Sequence, residues 1–123
     1  MYLTNESEHE YRFGDNGPKY LTKGPFIDMG VVIIQAGQDF DTHKHVKQEE
    51  SFLVLEGECD VYVDGKLIKI KKGDYLRCDP SEAHYFKNTS DKEFKAVFIK
   101  AVHSEVKDSV YIDWKPGKEF IKE

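Results

Sequence analysis

Apolar residues in this chain recur at alternate positions in short runs, and each run stops at a turn rich in Gly, Asp or Pro. Residues two apart on a strand share a face, so this pattern predicts strands with one buried side. Phe26 to Gln35 contains Val31-Val32-Ile33-Ile34, a run too short and too β-branched for a helix. Ser51 to Leu55 reads as a buried strand ended by Glu56-Gly57-Glu58. Cys59 to Val63 follows, with Cys59, Val61 and Val63 on one face. Asp64-Gly65 is the strongest hairpin signal, because a type I′ turn needs positive φ at both central positions. Leu67 to Ile70 is the return strand, and Lys72-Gly73-Asp74 the next turn. Tyr75 to Cys78 and Ala83 to Lys87 flank an Asp-Pro turn, and Phe94 to Val102 forms the last long strand.

With the segment after Ala36-Gly37, that makes roughly eight strands joined by short polar turns, the pattern of an all-β sandwich or barrel. No helix of ten or more residues and no internal repeat is expected. Residues 1–25 read as an irregular arm with short extended pieces, punctuated by Gly14, Gly17-Pro18 and Gly24-Pro25. Residues 26–102 read as the barrel. Residues 103–123 read as a tail whose Tyr111, Ile112, Trp114 and Phe120 pack on the barrel's outside or cross to a second subunit. The last strand has two apolar faces: Val97, Ile99 and Ala101 oppose Phe94, Ala96 and Phe98. A strand apolar on both sides points to a second buried surface, hence a homodimer.

Composition narrows the classes. A chain of 123 residues holds one domain, and 39% hydrophobic with 13% aromatic residues is ordinary for a folded core. The net charge of −5 is spread without a basic block, so nucleic acid is not an expected partner. No apolar run reaches the length of a membrane span, and the polar, acidic start lacks a secretion signal, so a cytoplasmic protein is expected. Cys59 and Cys78 form no Cys-x-x-Cys pair, which argues against a thiolate zinc site and for two reduced, buried thiols.

The chemistry concentrates in two segments. The first runs from Gly37 to Gly57 and contains His43, His45, Glu49 and Glu50; the second runs from Gly73 to Asn88 and contains Pro80 and His84. On a strand, His43 and His45 point the same way, whereas on a helix they would lie about 200° apart. Glu50, Phe52 and Val54 share a face by the same rule, as do His84, Phe86 and Asn88. Imidazoles with one carboxylate suit a transition metal with open coordination positions. His9 and His103 lie outside these segments and read as surface or internally satisfied residues.

The first segment, Gly-x5-His-x-His-x4-Glu-x6-Gly, resembles the first signature of the cupin superfamily. Gly73, His84 and Asn88 keep the spacing of the second. Two departures fall in the turn before His84: Pro80 lies one place late, and Ser81-Glu82 stands where a glycine is usual. The resemblance implies a double-stranded β-helix, a jelly-roll barrel of two facing antiparallel sheets. It also implies one divalent transition metal (manganese, iron, nickel, zinc or copper) held by His43, His45, Glu50 and His84. Glu49 is an adjacent carboxylate that strand parity turns away. Cupins of this type include dioxygenases, decarboxylases, isomerases and non-catalytic small-molecule or sugar-binding modules, and small ones commonly pair as homodimers. The expected reading is therefore a metal-binding cupin acting on, or binding, a small organic metabolite. Phe40, Phe52, Phe86 and Phe98 are candidate pocket walls. Arg77 could clamp a substrate carboxylate if it faced inward, although parity with Leu76 and Cys78 sends it out. Asn88 is expected to make a structural hydrogen bond rather than ligate.

Overall fold

A computed structural model describes residues 1–122 as ten strands and one short 3-10 turn, Glu6–Glu8. The strands are β1 Gly17–Lys23, β2 Ile27–Ile34, β3 His43–His45, β4 Glu49–Glu56, β5 Glu58–Val63, β6 Lys66–Lys71, β7 Tyr75–Cys78, β8 His84–Lys87, β9 Phe94–Ala101 and β10 Ser109–Tyr111. They form two five-stranded antiparallel sheets, in the orders β1-β2-β9-β4-β7 and β10-β3-β8-β5-β6. This is the all-β sandwich or barrel that the alternation predicts, in the double-stranded β-helix form that the resemblance implies.

The core lies between the sheets and is built by parity. Val32, Ile34, Phe52, Val54, Phe94, Ala96 and Phe98 face inward from one sheet; Cys59, Val61, Ile70 and Phe86 meet them from the other. Ile34, Val61, Phe94 and Ala96 are fully buried. Both cysteines are free and buried, and burial pushes each thiol up to about 12, as inert core sulfurs. Among the described residues no helix is long and apolar enough to cross a membrane.

Two strands differ from expectation. The segment read as an irregular arm contains β1, which pairs with β2 from Gly17↔Ile33 to Lys23↔Asp28. Its Pro18 is an edge-strand residue, where a missing N–H costs no ladder bond. The tail contains β10, which pairs with β3 through Ser109↔His45 and Tyr111↔His43. The rest of the tail folds back on its own barrel. Trp114, 6% exposed, packs at a tilt 5.6 Å from Tyr62 and edge-on 6.3 Å from Tyr85, and Phe120 sits 5.9 Å from Trp114.

Candidate metal centre and its cavity

The hairpin at Asp64-Gly65 has φ of 48° and 81°, as a type I′ turn requires. It also positions the second histidine segment. Asp64 exchanges backbone bonds with that segment: its N–H donates to the Ala83 carbonyl at 2.8 Å, and its carboxylate accepts the Ala83 N–H at 2.8 Å. Ser81, in the turn that departs from the usual glycine, takes a φ of 73°. The left-handed conformation is thus kept without the glycine. Its N–H donates to the His45 carbonyl at 2.7 Å, which ties the two histidine segments together.

His43 and His84 are register partners on β3 and β8. Their rings lie 4.4 Å apart, and His45 follows two residues along β3, 5.2 Å from His43. Glu50 comes from the facing sheet, on β4. The ligating atoms of all four residues fall within 4.8 Å of one another. Glu50 Oε1 is 3.0 Å from His45 Nε2, 3.2 Å from His84 Nε2 and 3.9 Å from His43 Nε2. His45 and His84 are buried, while His43 keeps about a third of its side chain open (34%).

The proton positions decide what this cluster suits. His43 Nδ1 lies 3.1 Å from the Asp41 carbonyl and His84 Nδ1 3.1 Å from the Glu82 carbonyl. A carbonyl only accepts, so each Nδ1 carries a proton, and in the neutral form of either ring the Nε2 turned toward Glu50 is the lone-pair atom. Such a lone pair and the carboxylate repel unless a cation, a proton or a metal ion, lies between them. Backbone carbonyls orienting ligand histidines in this way are the usual outer shell of a metal site. The donor set therefore fits a divalent metal. Burial opposes ionisation of Glu50, but the three imidazoles outweigh it and hold the carboxyl well below its ordinary range. Burial likewise opposes protonation of His43, and Glu50 overcomes it, leaving that imidazole raised.

Above the cluster opens a cavity of about 740 Å³, within the usual range for small-molecule sites. Phe40, Phe52, Phe86 and Phe98 all line it, together with Tyr20, Tyr111 and Lys100. Phe52 and Phe86 also belong to the packed core, 4.8 Å apart, so wall and core are the same residues. Arg77 does not belong to the cavity. It pairs with Ser51 on the outer face of β7, and its Nε donates to Asp79 at 2.8 Å. The outward parity of Tyr75 and Arg77 decides its place, because Leu76 and Cys78 take the inward positions. Glu49 also faces out, beside Ala101.

Asn88 is fully buried and structural. Its amide donates to the carbonyls of Ile34 (2.8 Å) and Lys92 (2.6 Å), and its oxygen accepts from Ser90. His9 bonds Thr4 at 2.7 Å, and His103 bonds Asp28 at 2.6 Å, so both are satisfied away from the cluster. Sequence reasoning missed Lys100. The signal was present: Phe94, Ala96, Phe98 and Lys100 form one alternating row, and the first three face inward.

Comparison with known proteins agrees with this geometry. Residues 30–100, more than half of the chain, match the family described as "Cupin domain". The chain belongs to the cupin family. A similar protein is an uncharacterized protein of Aquifex aeolicus, 29% identical over 94 residues, covering 76% of this chain and 74% of that one. An oxalate-binding protein of Thermotoga maritima is 38% identical over 65 residues, 51% of this chain and 54% of its own length, so this chain spans about half of that relative. Among solved structures, a double-stranded β-helix protein of Klebsiella pneumoniae superposes with a TM-score of 0.79 at 17% identity, covering 93% of this chain and 99% of the other. At that identity the likeness carries the fold alone.

Proposed function

We propose that this cupin holds one divalent transition metal on His43, His45, Glu50 and His84, and that it acts on a small organic metabolite bound in the cavity above. The reaction class that suits such a site is that of a metal-dependent dioxygenase, decarboxylase or isomerase. The observation that carries the reading is the set of three Nε2 atoms aimed at one carboxylate oxygen, those of His43 and His84 oriented by backbone carbonyls. When bound, the metal supplies Lewis-acid or redox chemistry at positions the protein leaves open. The chain's own part is to fix the imidazole orientations, keep Glu50 ionised and exclude water with Phe52, Phe86 and Phe98. A cytoplasmic setting suits the two free thiols.

Elemental analysis of the untagged protein, beside His84→Ala and the more exposed His43→Ala, tests the site. About one manganese, iron, nickel, zinc or copper per chain is expected, with the content lost in both variants. Full metal content in both variants, or no uptake of any of the five ions by the folded wild type, overturns it.

Similarity to the oxalate-binding protein favours a second reading, non-catalytic binding of a small molecule in the same cavity. A ligand recovered unchanged after long aerobic incubation with the metal-loaded protein selects that reading; product formation selects the enzyme. We further propose that the protein is a homodimer, formed on the outer face of the β1-β2-β9-β4-β7 sheet.

A further inference from the structure

Lys100 ends the inward row of β9. Its cross-strand neighbours are Glu50 on β4 and Asp28 on β2, so the ammonium stands one position from the four-donor cluster. Both carboxylates are already engaged. Asp28 is taken by His103 at 2.6 Å, and Glu50 by His45 and His84 at 3.0 and 3.2 Å. Among the described residues Lys100 forms no ion pair. Its Nζ instead lies 5.0 Å from the ring centre of Tyr20, which packs edge-on against Phe98 at 5.0 Å. The other charges lining the cavity do not cancel that of Lys100. Arg12 and Lys107 are also cationic, Asp39 is bound by Tyr85 and Lys115, and Asp41 is exposed to solvent.

A half-buried ammonium without a counter-ion, inside a cavity with low-dielectric aromatic walls, focuses positive potential on whatever enters. We infer that the cavity takes a small organic carboxylate, its anionic end between Lys100 and the histidine–glutamate cluster and its apolar body against Phe40, Phe52 and Phe98. Lys100 is the residue that selects the anion. This deepens the metal-site reading and rests on it for the inner end of the pocket. A compact ammonium in that place provides a charge-assisted contact, roughly twice as strong as a neutral one.

The test is calorimetric titration of manganese-loaded wild type, Lys100→Met and Lys100→Arg with benzoate, hexanoate and oxalate, and with benzamide as the neutral counterpart of benzoate. Metal content and melting temperature are measured on the same samples. The expected result is binding of at least one carboxylate, weakened about tenfold or more in Lys100→Met at unchanged metal content and largely restored in Lys100→Arg. Benzamide binds weakly to all three. Wild-type affinity in a folded Lys100→Met overturns the inference, as does benzamide binding as tightly as the best carboxylate, or no carboxylate binding at millimolar concentration. Failure of the metal reading is separately visible as missing manganese, and the Lys100 dependence is then read on the metal-free protein by the same criteria.

Discussion

The residue whose chemistry is least expected from its position is Ser81. At a φ of 73° a residue with a Cβ is held where glycine is at ease. The surrounding bonds enforce that conformation: the Ser81 N–H reaches the His45 carbonyl, and the turn that contains Ser81 closes with Glu82 N–H on the Asp79 carbonyl at 3.1 Å. Replacing Ser81 with glycine relieves the left-handed strain, worth about 1 kcal/mol, less the extra backbone freedom of glycine in the unfolded chain. Ser81→Gly is therefore expected to raise the melting temperature by roughly a few degrees, read by differential scanning calorimetry, with metal content unchanged. A lower melting temperature would mean that the extra backbone freedom of glycine in the unfolded chain outweighs the relieved φ strain at this turn. The same residue shows how closely the two histidine segments depend on one another. The backbone that sets the direction of His84 is hydrogen-bonded to the strand that carries His43 and His45.

At the scale of elements, β3 is too short to hold its histidines alone. It is three residues long and meets β8 at the single register pair His43↔His84. Its other edge is covered by β10, and the residues beyond add further bonds. The Ile112 N–H donates to the Thr42 carbonyl at 2.9 Å, and the buried Thr42 hydroxyl donates to the Trp114 carbonyl at 2.7 Å. The tail is thus a brace for the ligand strand, anchored by Trp114 on Tyr62 and Tyr85. Trp114→Ala removes that anchor from a buried site, and such truncations cost ~3–5 kcal/mol in cores. For this tail, a loss of about 3 kcal/mol in a denaturation experiment is expected, accompanied by weaker metal retention against a chelator. Loss of stability with unchanged metal retention would show that β3 is held by β8 alone. Neither β1 nor β10 is legible from the sequence. Ser109-Val-Tyr is too short for alternation to register, and Gly17-Pro18 reads as a turn although Pro18 sits at an edge. The inner strands are legible either by alternation, as in Cys59, Val61 and Val63, or, where both faces are covered, as a short β-branched run such as Val31 to Ile34. The four clustered residues are legible for the same reason, with the added spacing of the two segments. Lys100 is not, because a lysine ending an apolar row looks like a solvated strand end unless parity is followed one step further.

At the scale of the whole molecule, the described residues leave an apolar sheet face partly uncovered. On the outer face of the β1-β2-β9-β4-β7 sheet, the N-terminal segment covers one half. Glu6 bridges Lys95 at 2.9 Å and Lys19 at 3.3 Å, the Tyr2 hydroxyl donates to the Leu21 carbonyl at 2.7 Å, and Val31 and Ile33 are each 5% exposed. The other half has no such cover. Leu53 faces Tyr75 on one side and Val97 on the other, and Leu53 and Tyr75 remain 44% and 62% exposed. A contiguous apolar patch on a sheet face marks an interaction surface. A two-fold axis through it lets the same patch cover itself, the commonest closed arrangement of identical chains. Glu49 and Arg77 also face outward from β4 and β7, so the patch carries both signs of charge and self-pairing meets no uniform repulsion. Sedimentation equilibrium is expected to give about twice the chain mass of 14.3 kDa at micromolar concentration. Placing two carboxylates in the patch with Leu53→Glu and Tyr75→Glu is expected to return the single-chain mass while metal content is kept, because neither side chain reaches the inner face. A single-chain mass for the wild type at high micromolar concentration would show instead that the N-terminal segment and solvent suffice for this face. The position of the patch also separates assembly from chemistry. It lies on the far side of β4 and β9 from Glu50 and Lys100, so association can stiffen the two strands that carry these residues without obstructing the mouth of the cavity.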